Sequence, residues 1–205
     1  MFNTHQKKIG VFAQTNPENM ARVYQFVLAT IQQNLNQTPD IMGDIDNIKE
    51  SSKYLFGFKQ RAWNYSQDNM QGIFDTTMRI HQQSKTESDA EHALLLYFAG
   101  LPGLGVVKGG FMIQLCFGLS GCIDSHNIKR FDLNSNTFSA ARFKNAKTDK
   151  LRNKIISDYH KLVNNIGGCE TLWNSWCEYV ADRNNNIYGS GYDVSALHVS
   201  AILPQ

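Results

Sequence analysis

Leu101-Pro102-Gly103-Leu104-Gly105-Val106-Val107-Lys108-Gly109-Gly110-Phe111 lies between two apolar helical stretches, Glu91 to Ala99 before it and Phe111 to Leu119 after it. Pro102 cannot continue a helix, and Gly103 and Gly105 reach backbone angles closed to other residues. The run therefore predicts a very tight hairpin between two helices. Backbone N–H groups of such a hairpin point outward at the start of the second helix. Helped by the helix dipole, a nest of this kind binds a phosphate oxygen.

Working outward, the second helical stretch carries Phe117-Gly118, and a glycine-containing loop then leads to Ile123-Asp124-Ser125-His126. This order of motifs resembles the helix-hairpin-helix DNA glycosylase superfamily, in its endonuclease III-like form. That family has a Leu-Pro-Gly-Val-Gly hairpin, a helix often ending in Phe-Gly, and then an Asp-Thr-His-type motif with an essential aspartate. Leu101 to Gly105, Phe117-Gly118 and Asp124-Ser125-His126 fill those places here. The hairpin alone occurs in many polymerases, ligases and nucleases; joined to the aspartate it is far more specific.

The resemblance implies an all-α, two-lobed fold with a DNA-binding cleft. Residues 17–36 and 125–183 would form one lobe and residues 40–119 the other, with the hairpin unit at 91–119, an N-terminal arm at 1–16 and a C-terminal tail at 184–205. It implies binding of double-stranded DNA by a monomer, through Gly103, Leu104, Gly105, Val106, Val107 and Lys108, with Lys129 and Arg130 beyond. Gln33 lies near the place where the family carries a glutamine that fills the gap left by an extruded base; a solvated helix end is the other reading of that residue. A potassium or sodium ion between hairpin carbonyls and phosphate is implied as well. No iron–sulfur cluster is expected, because only Cys169 and Cys177 lie where cluster-bearing members have four cysteines.

The chemistry implied is cleavage of the bond between a base and its deoxyribose, after the base has been flipped from the stack. A sugar with oxocarbenium character needs a nearby carboxylate, and Asp124 matches that position. Asp124 also suits the N-cap of the following helix, and the two roles are compatible. Strand-cutting members carry a lysine two residues after the second hairpin glycine. Val107 stands there, with Lys108 about 100° further round the helix. Valine cannot form an imine, so a monofunctional, water-using glycosylase is expected, with Lys108 turned to phosphate or, from an irregular helix start, to the sugar. Gly109-Gly110 replaces the Thr-Ala usual in the family. Two alternatives stand beside this reading: a phage-type enzyme of the same fold that modifies thymine derivatives, and a non-catalytic DNA-binding or virion-associated protein.

Composition narrows the class without naming it. The 205 residues carry a formal charge of +2 with a pI near 8.3, so any polyanion must be met by charge placement. Phe2 to Phe12 is too polar for a signal peptide and no apolar run spans a membrane, which leads to the expectation of a cytoplasmic protein, or one of the host-cell cytoplasm if viral. Cys116, Cys122, Cys169 and Cys177 lack zinc or redox spacing. The abundance of asparagine and glutamine fits an AT-rich coding genome such as that of a phage.

In chain order, residues 1–14 read as an arm with an apolar patch at Ile9 to Phe12. Asn16-Pro17-Glu18 starts an amphipathic helix over 17–36. A short helix is expected near 40–50. Gly57-Phe58-Lys59-Gln60-Arg61-Ala62 resembles a short family turn, opening a helix over 60–82. Thr86 with Asp89 makes a capping-box-like start. Beyond Asp124 the chain turns basic, with Lys129, Arg130, Arg142, Lys144, Lys147, Lys150, Arg152 and Lys154 interleaved with Phe131, Phe138 and Phe143. That pattern suits either a phosphate backbone or an ordinary solvated surface. Helices are expected over 150–165 and 169–182, then a linker at 184–191 and a short helix from Asp193 to Leu203. His126 reads as structural.

Overall fold

The computed structural model describes residues 2–31, 42, 55, 57–134, 138–188 and 194–203. Among them the regular elements are all helices, with no strand. Helix α1 spans Phe2–Ala13, α2 Pro17–Ala29, α3 Phe58–Asp68, α4 Met70–Gln83, α5 Glu87–Gly100 and α6 Gly105–Phe117. Then come α7 Ser125–Arg130, α8 Ala140–Lys144, α9 Asp149–Ile166, α10 Gly168–Tyr188 and α11 Val194–Ile202. No described helix is long and apolar enough to cross a membrane.

The helix starts at Asn16 and Thr86 follow the local chemistry read from the sequence. Asn16 Oδ1 accepts from the Asn19 amide at 2.9 Å, with Pro17 in the first turn of α2. Thr86 Oγ1 accepts from the Asp89 amide at 3.1 Å and starts α5. Thr148 does the same for Leu151 at the head of α9, which Gly167 closes in a left-handed conformation.

Helix α6 is the axis of the molecule. Val106 and every residue from Phe111 to Cys116 are buried, so the helix is apolar nearly all round and needs neighbours on every side. α1, α2, α5 and α8 supply them. α2 packs also on α3, α4 and α11, while α9 joins α5 to α10. α6 begins at Gly105, six residues earlier than the Phe111 start expected, because the hairpin closes within Leu101 to Leu104.

Three boundaries differ from expectation for physical reasons. The stretch 1–16 is not an arm: Ile9 and Ala13 of α1 are fully buried, and Gln6 and Gln14 donate to the carbonyls of Leu115 and Cys116. Gly10 lets α1 approach α6: a Cβ there would lie 2.9 Å from the Cys116 oxygen. The helix expected over 60–82 is two, parted at Asn69, whose backbone leaves helical angles at φ −120° and ψ 14° while its side chain joins its own N–H in donating to the Tyr65 carbonyl. The region 184–205 is not simply a linker and tail. α10 continues to Tyr188, and α11 docks with Ala201 and Ile202 buried. Arg22 of α2 donates Nε to the Ile202 carbonyl at 2.6 Å, satisfying an end of α11 that its own backbone cannot. Gln33 and, apart from the buried Met42, the expected 40–50 helix lie outside the described residues.

Candidate functional site

The hairpin is built by fixing Pro102 and Gly103 against α2 and α3. Gly103 and Gly105 have φ of 82° and 67°, in the left-handed region that a side chain disfavours. A Cβ on Gly103 would also meet Leu28 and Ala62 at 2.7 and 2.8 Å. Tyr24 donates its hydroxyl to the Pro102 carbonyl at 2.6 Å, and Leu104 N donates to the Leu101 carbonyl at 3.4 Å. The side chains of Leu104 and Val106 face the core, so only their backbone is left for a ligand. First-turn amides of a helix have no partner within it, which leaves those of Gly105, Val106 and Val107 directed along the α6 axis.

Lys108 is half-buried and directed at α2: its Nζ donates to Thr30 Oγ1 at 3.3 Å and lies 5.3 Å from the centroid of the Phe111 ring. Lys59, at the start of α3, is buried. Burial pulls its pKa below the ordinary lysine value, and the Lys108 ammonium pulls it further down. A second lysine therefore sits within the electrostatic reach of Lys108. The sequence held a hint of it, because Lys59 opens a helix in a segment similar to a family turn, but no residue type there announces burial.

Asp124 is held by both side chain and backbone. Its Oδ1 accepts from the amides of His126 and Asn127, each at 3.0 Å, and caps α7. Oδ2 makes no hydrogen bond among the described residues. The loop that delivers Asp124 turns through Ser120, buried with φ of 61°. Two side chains lock that loop. Tyr159 of α9 accepts from the Ile123 amide at 3.0 Å and donates to the Gly121 carbonyl at 2.7 Å. Asn127 Nδ2 donates to the carbonyls of Cys122 and Leu172 at 2.8 and 3.3 Å.

The Gly109-Gly110 pair now has a reason. A Cβ on Gly110 would run into the Gly121 oxygen and lie 3.0 Å from the Tyr159 hydroxyl. The bare helix face lets the Asp124 loop lie directly on α6. Between hairpin helix and aspartate sits Cys122, whose thiol is pushed up to about 12 by burial, with Lys108 opposing the rise and Asp124 adding to it. Cys122 is thus in the field of both groups, and is itself a neutral packing residue rather than a nucleophile.

The remaining sequence candidates separate. Arg130 is tied into the protein, donating to Glu178 at 2.7 Å and to the Ser175 carbonyl at 3.4 Å. Lys129 is exposed and makes no ion pair among the described residues. The His126 ring stacks on Tyr179 with centroids 4.1 Å apart. Among the described residues no group of histidine, cysteine or acidic side chains is arranged to hold a metal. Sequence reasoning missed Tyr159 and Asn127, because one occupies an ordinary core position of α9 and the other a polar-looking α7.

Neither the protein-family models, nor the curated proteins, nor the solved structures compared with this chain give a match.

Proposed function

We propose that the protein is a monofunctional DNA glycosylase of the helix-hairpin-helix kind, which binds duplex DNA, flips out a base and hydrolyses its N-glycosidic bond. The observation that carries this reading is the state of Asp124. One carboxylate oxygen is immobilised by two amides, the other is uncommitted, and the loop that delivers Asp124 lies against the hairpin helix at Gly110 and is clamped to α9 by Tyr159. A carboxylate fixed in advance stabilises positive charge developing on a sugar without reorganising at the moment of reaction.

In the proposed reaction the C1′–N bond breaks, its electron pair leaves with the base, and water adds at C1′. The proton released by water passes to the base or to solvent. Asp124 faces the cationic sugar, the hairpin amides hold a phosphate, and Lys108 adds positive charge beside it. Asp124 and the DNA would lie between two helical lobes. The alkali cation that the resemblance implies would meet hairpin carbonyls of which Leu101 and Pro102 each already accept one hydrogen bond, from Leu104 and Tyr24, and keep one lone pair. No step passes through such an ion.

Two outcomes test the binding and the register. Affinity for a duplex should fall steeply with salt, and Lys108→Ala should weaken it and lower the slope of log K against log salt by about one. Its single hydrogen bond to Thr30 is long, so the variant should lose no more than about 1 kcal/mol of stability. Salt-indifferent binding by the wild type would remove the phosphate-tracking role. Borohydride should trap no covalent complex with damaged DNA, since Val107 occupies the lysine position. An adduct that Lys108→Ala abolishes would make the enzyme bifunctional instead.

A further inference from the structure

The last turn of α5, helix α8 and the head of α9 enclose a cavity of about 360 Å³, lined by Leu96, Gly100, Phe143, Lys144, Asp149 and Arg152 among others. That volume lies at the lower end of the range for small-ligand sites. Its floor is apolar and partly aromatic, and its rim carries two cations. Lys144 is exposed and makes no ion pair or hydrogen bond among the described residues. Arg152 is aimed by its Nε, which donates to the Ala146 carbonyl at 3.2 Å. Among the described residues its one ion-pair partner is Asp149, 3.9 Å away and 93% exposed, a separation and exposure at which an ion pair contributes little. The dipole of the 18-residue α9 adds positive potential at the same mouth.

The cavity opens beside Gly100, the residue directly before Leu101 of the hairpin. The last turn of α5 and the first turn of α6 flank the hairpin, so the cavity and the hairpin amides lie at the same end of these two packed helices. We infer that the cavity is a nucleotide subsite: Lys144 and Arg152 take a phosphate, and Leu96 and Phe143 take the apolar face of its sugar or base. The nucleotide belongs to the bound strand, next to the one held by the hairpin. This rests on the duplex-binding reading above, and it assigns the 142–152 part of the basic stretch a defined contact rather than a diffuse field.

The test compares wild type, Lys144→Ala and Gly100→Trp on one labelled duplex by fluorescence anisotropy. Gly100 lines the cavity and a Cβ there meets nothing within 4 Å, so tryptophan adds bulk at the lining with no clash at its Cβ. Both variants should bind roughly threefold to tenfold more weakly while melting like the wild type, and Lys144→Ala should lower the salt slope by about one. Replacing the one contacted phosphate by a neutral methylphosphonate should weaken the wild type and leave Lys144→Ala unaffected. Wild-type affinity in both variants would overturn the subsite while leaving duplex binding intact. A wild type that binds no duplex would overturn both readings together. Saturable binding of a free nucleoside monophosphate, lost in Gly100→Trp, with no effect of either variant on the duplex, would make this a free-nucleotide site and overturn the strand assignment.

Discussion

Asp124→Asn should lower base release on the order of 10²–10³-fold while the protein folds and binds DNA as before. Asparagine caps a helix nearly as well as aspartate, so the bonds from the His126 and Asn127 amides persist through its side-chain oxygen. What disappears is the negative charge, and with it, on the proposed mechanism, the stabilisation of an oxocarbenium-like sugar. DNA binding should hold or tighten, because a carboxylate near phosphates is unfavourable in the ground state and useful only in the transition state. Counting abasic sites in duplexes with damaged, mismatched and modified bases provides the measurement, and its outcomes separate three classes. A glycosylase makes abasic sites that the variant does not. A base-modifying enzyme of this fold alters the base and leaves the sugar bond whole, in an Asp124-dependent way. A binding protein does neither in either form. Equal release by wild type and variant, on a substrate the wild type clearly processes, would exclude Asp124 from the chemistry.

The parts of this molecule legible in the sequence are those set by local chemistry. Asn16 and Thr86 mark helix starts, and Asp124 can be read as a cap from the residues around it. The hairpin is legible because two left-handed glycines after a proline admit few conformations. What stayed hidden depends on distant partners. The first helix reads as a polar arm, since only Ile9 to Phe12 stand out as apolar and nothing local shows that Gly10 lies against the Cys116 carbonyl. Gly110 reads as a loosened hairpin helix, although it is the close contact with Gly121 and Tyr159 that excludes a side chain. The basic stretch cannot be divided from sequence either: Arg130 is spent on Glu178, whereas Lys129 and Lys144 are not.

Tyr159→Phe should be the most destabilising substitution that leaves the size and shape of the core intact. The ring stays, with its edge-on packing against Phe138 at 5.0 Å between centroids. Only the hydroxyl is lost, and with it both hydrogen bonds to the Asp124 loop. Two buried backbone groups, the Ile123 N–H and the Gly121 C=O, are then left without partners, at a cost of about 1–3 kcal/mol each. For a chain of this size that is a fall in melting temperature of roughly 5–15 °C, measured by circular dichroism. An unchanged melt would mean that water or a shifted loop replaces the hydroxyl, and the clamp would lose its meaning. Activity separates structure from chemistry. If Tyr159 acts only by holding Asp124, Tyr159→Phe should lower kcat more than it weakens DNA binding. The Asp124→Asn/Tyr159→Phe double variant should then release base no more slowly than Asp124→Asn alone, because residues acting as a unit are not additive. Multiplying losses in the double variant would give Tyr159 a part in the reaction independent of the aspartate it holds.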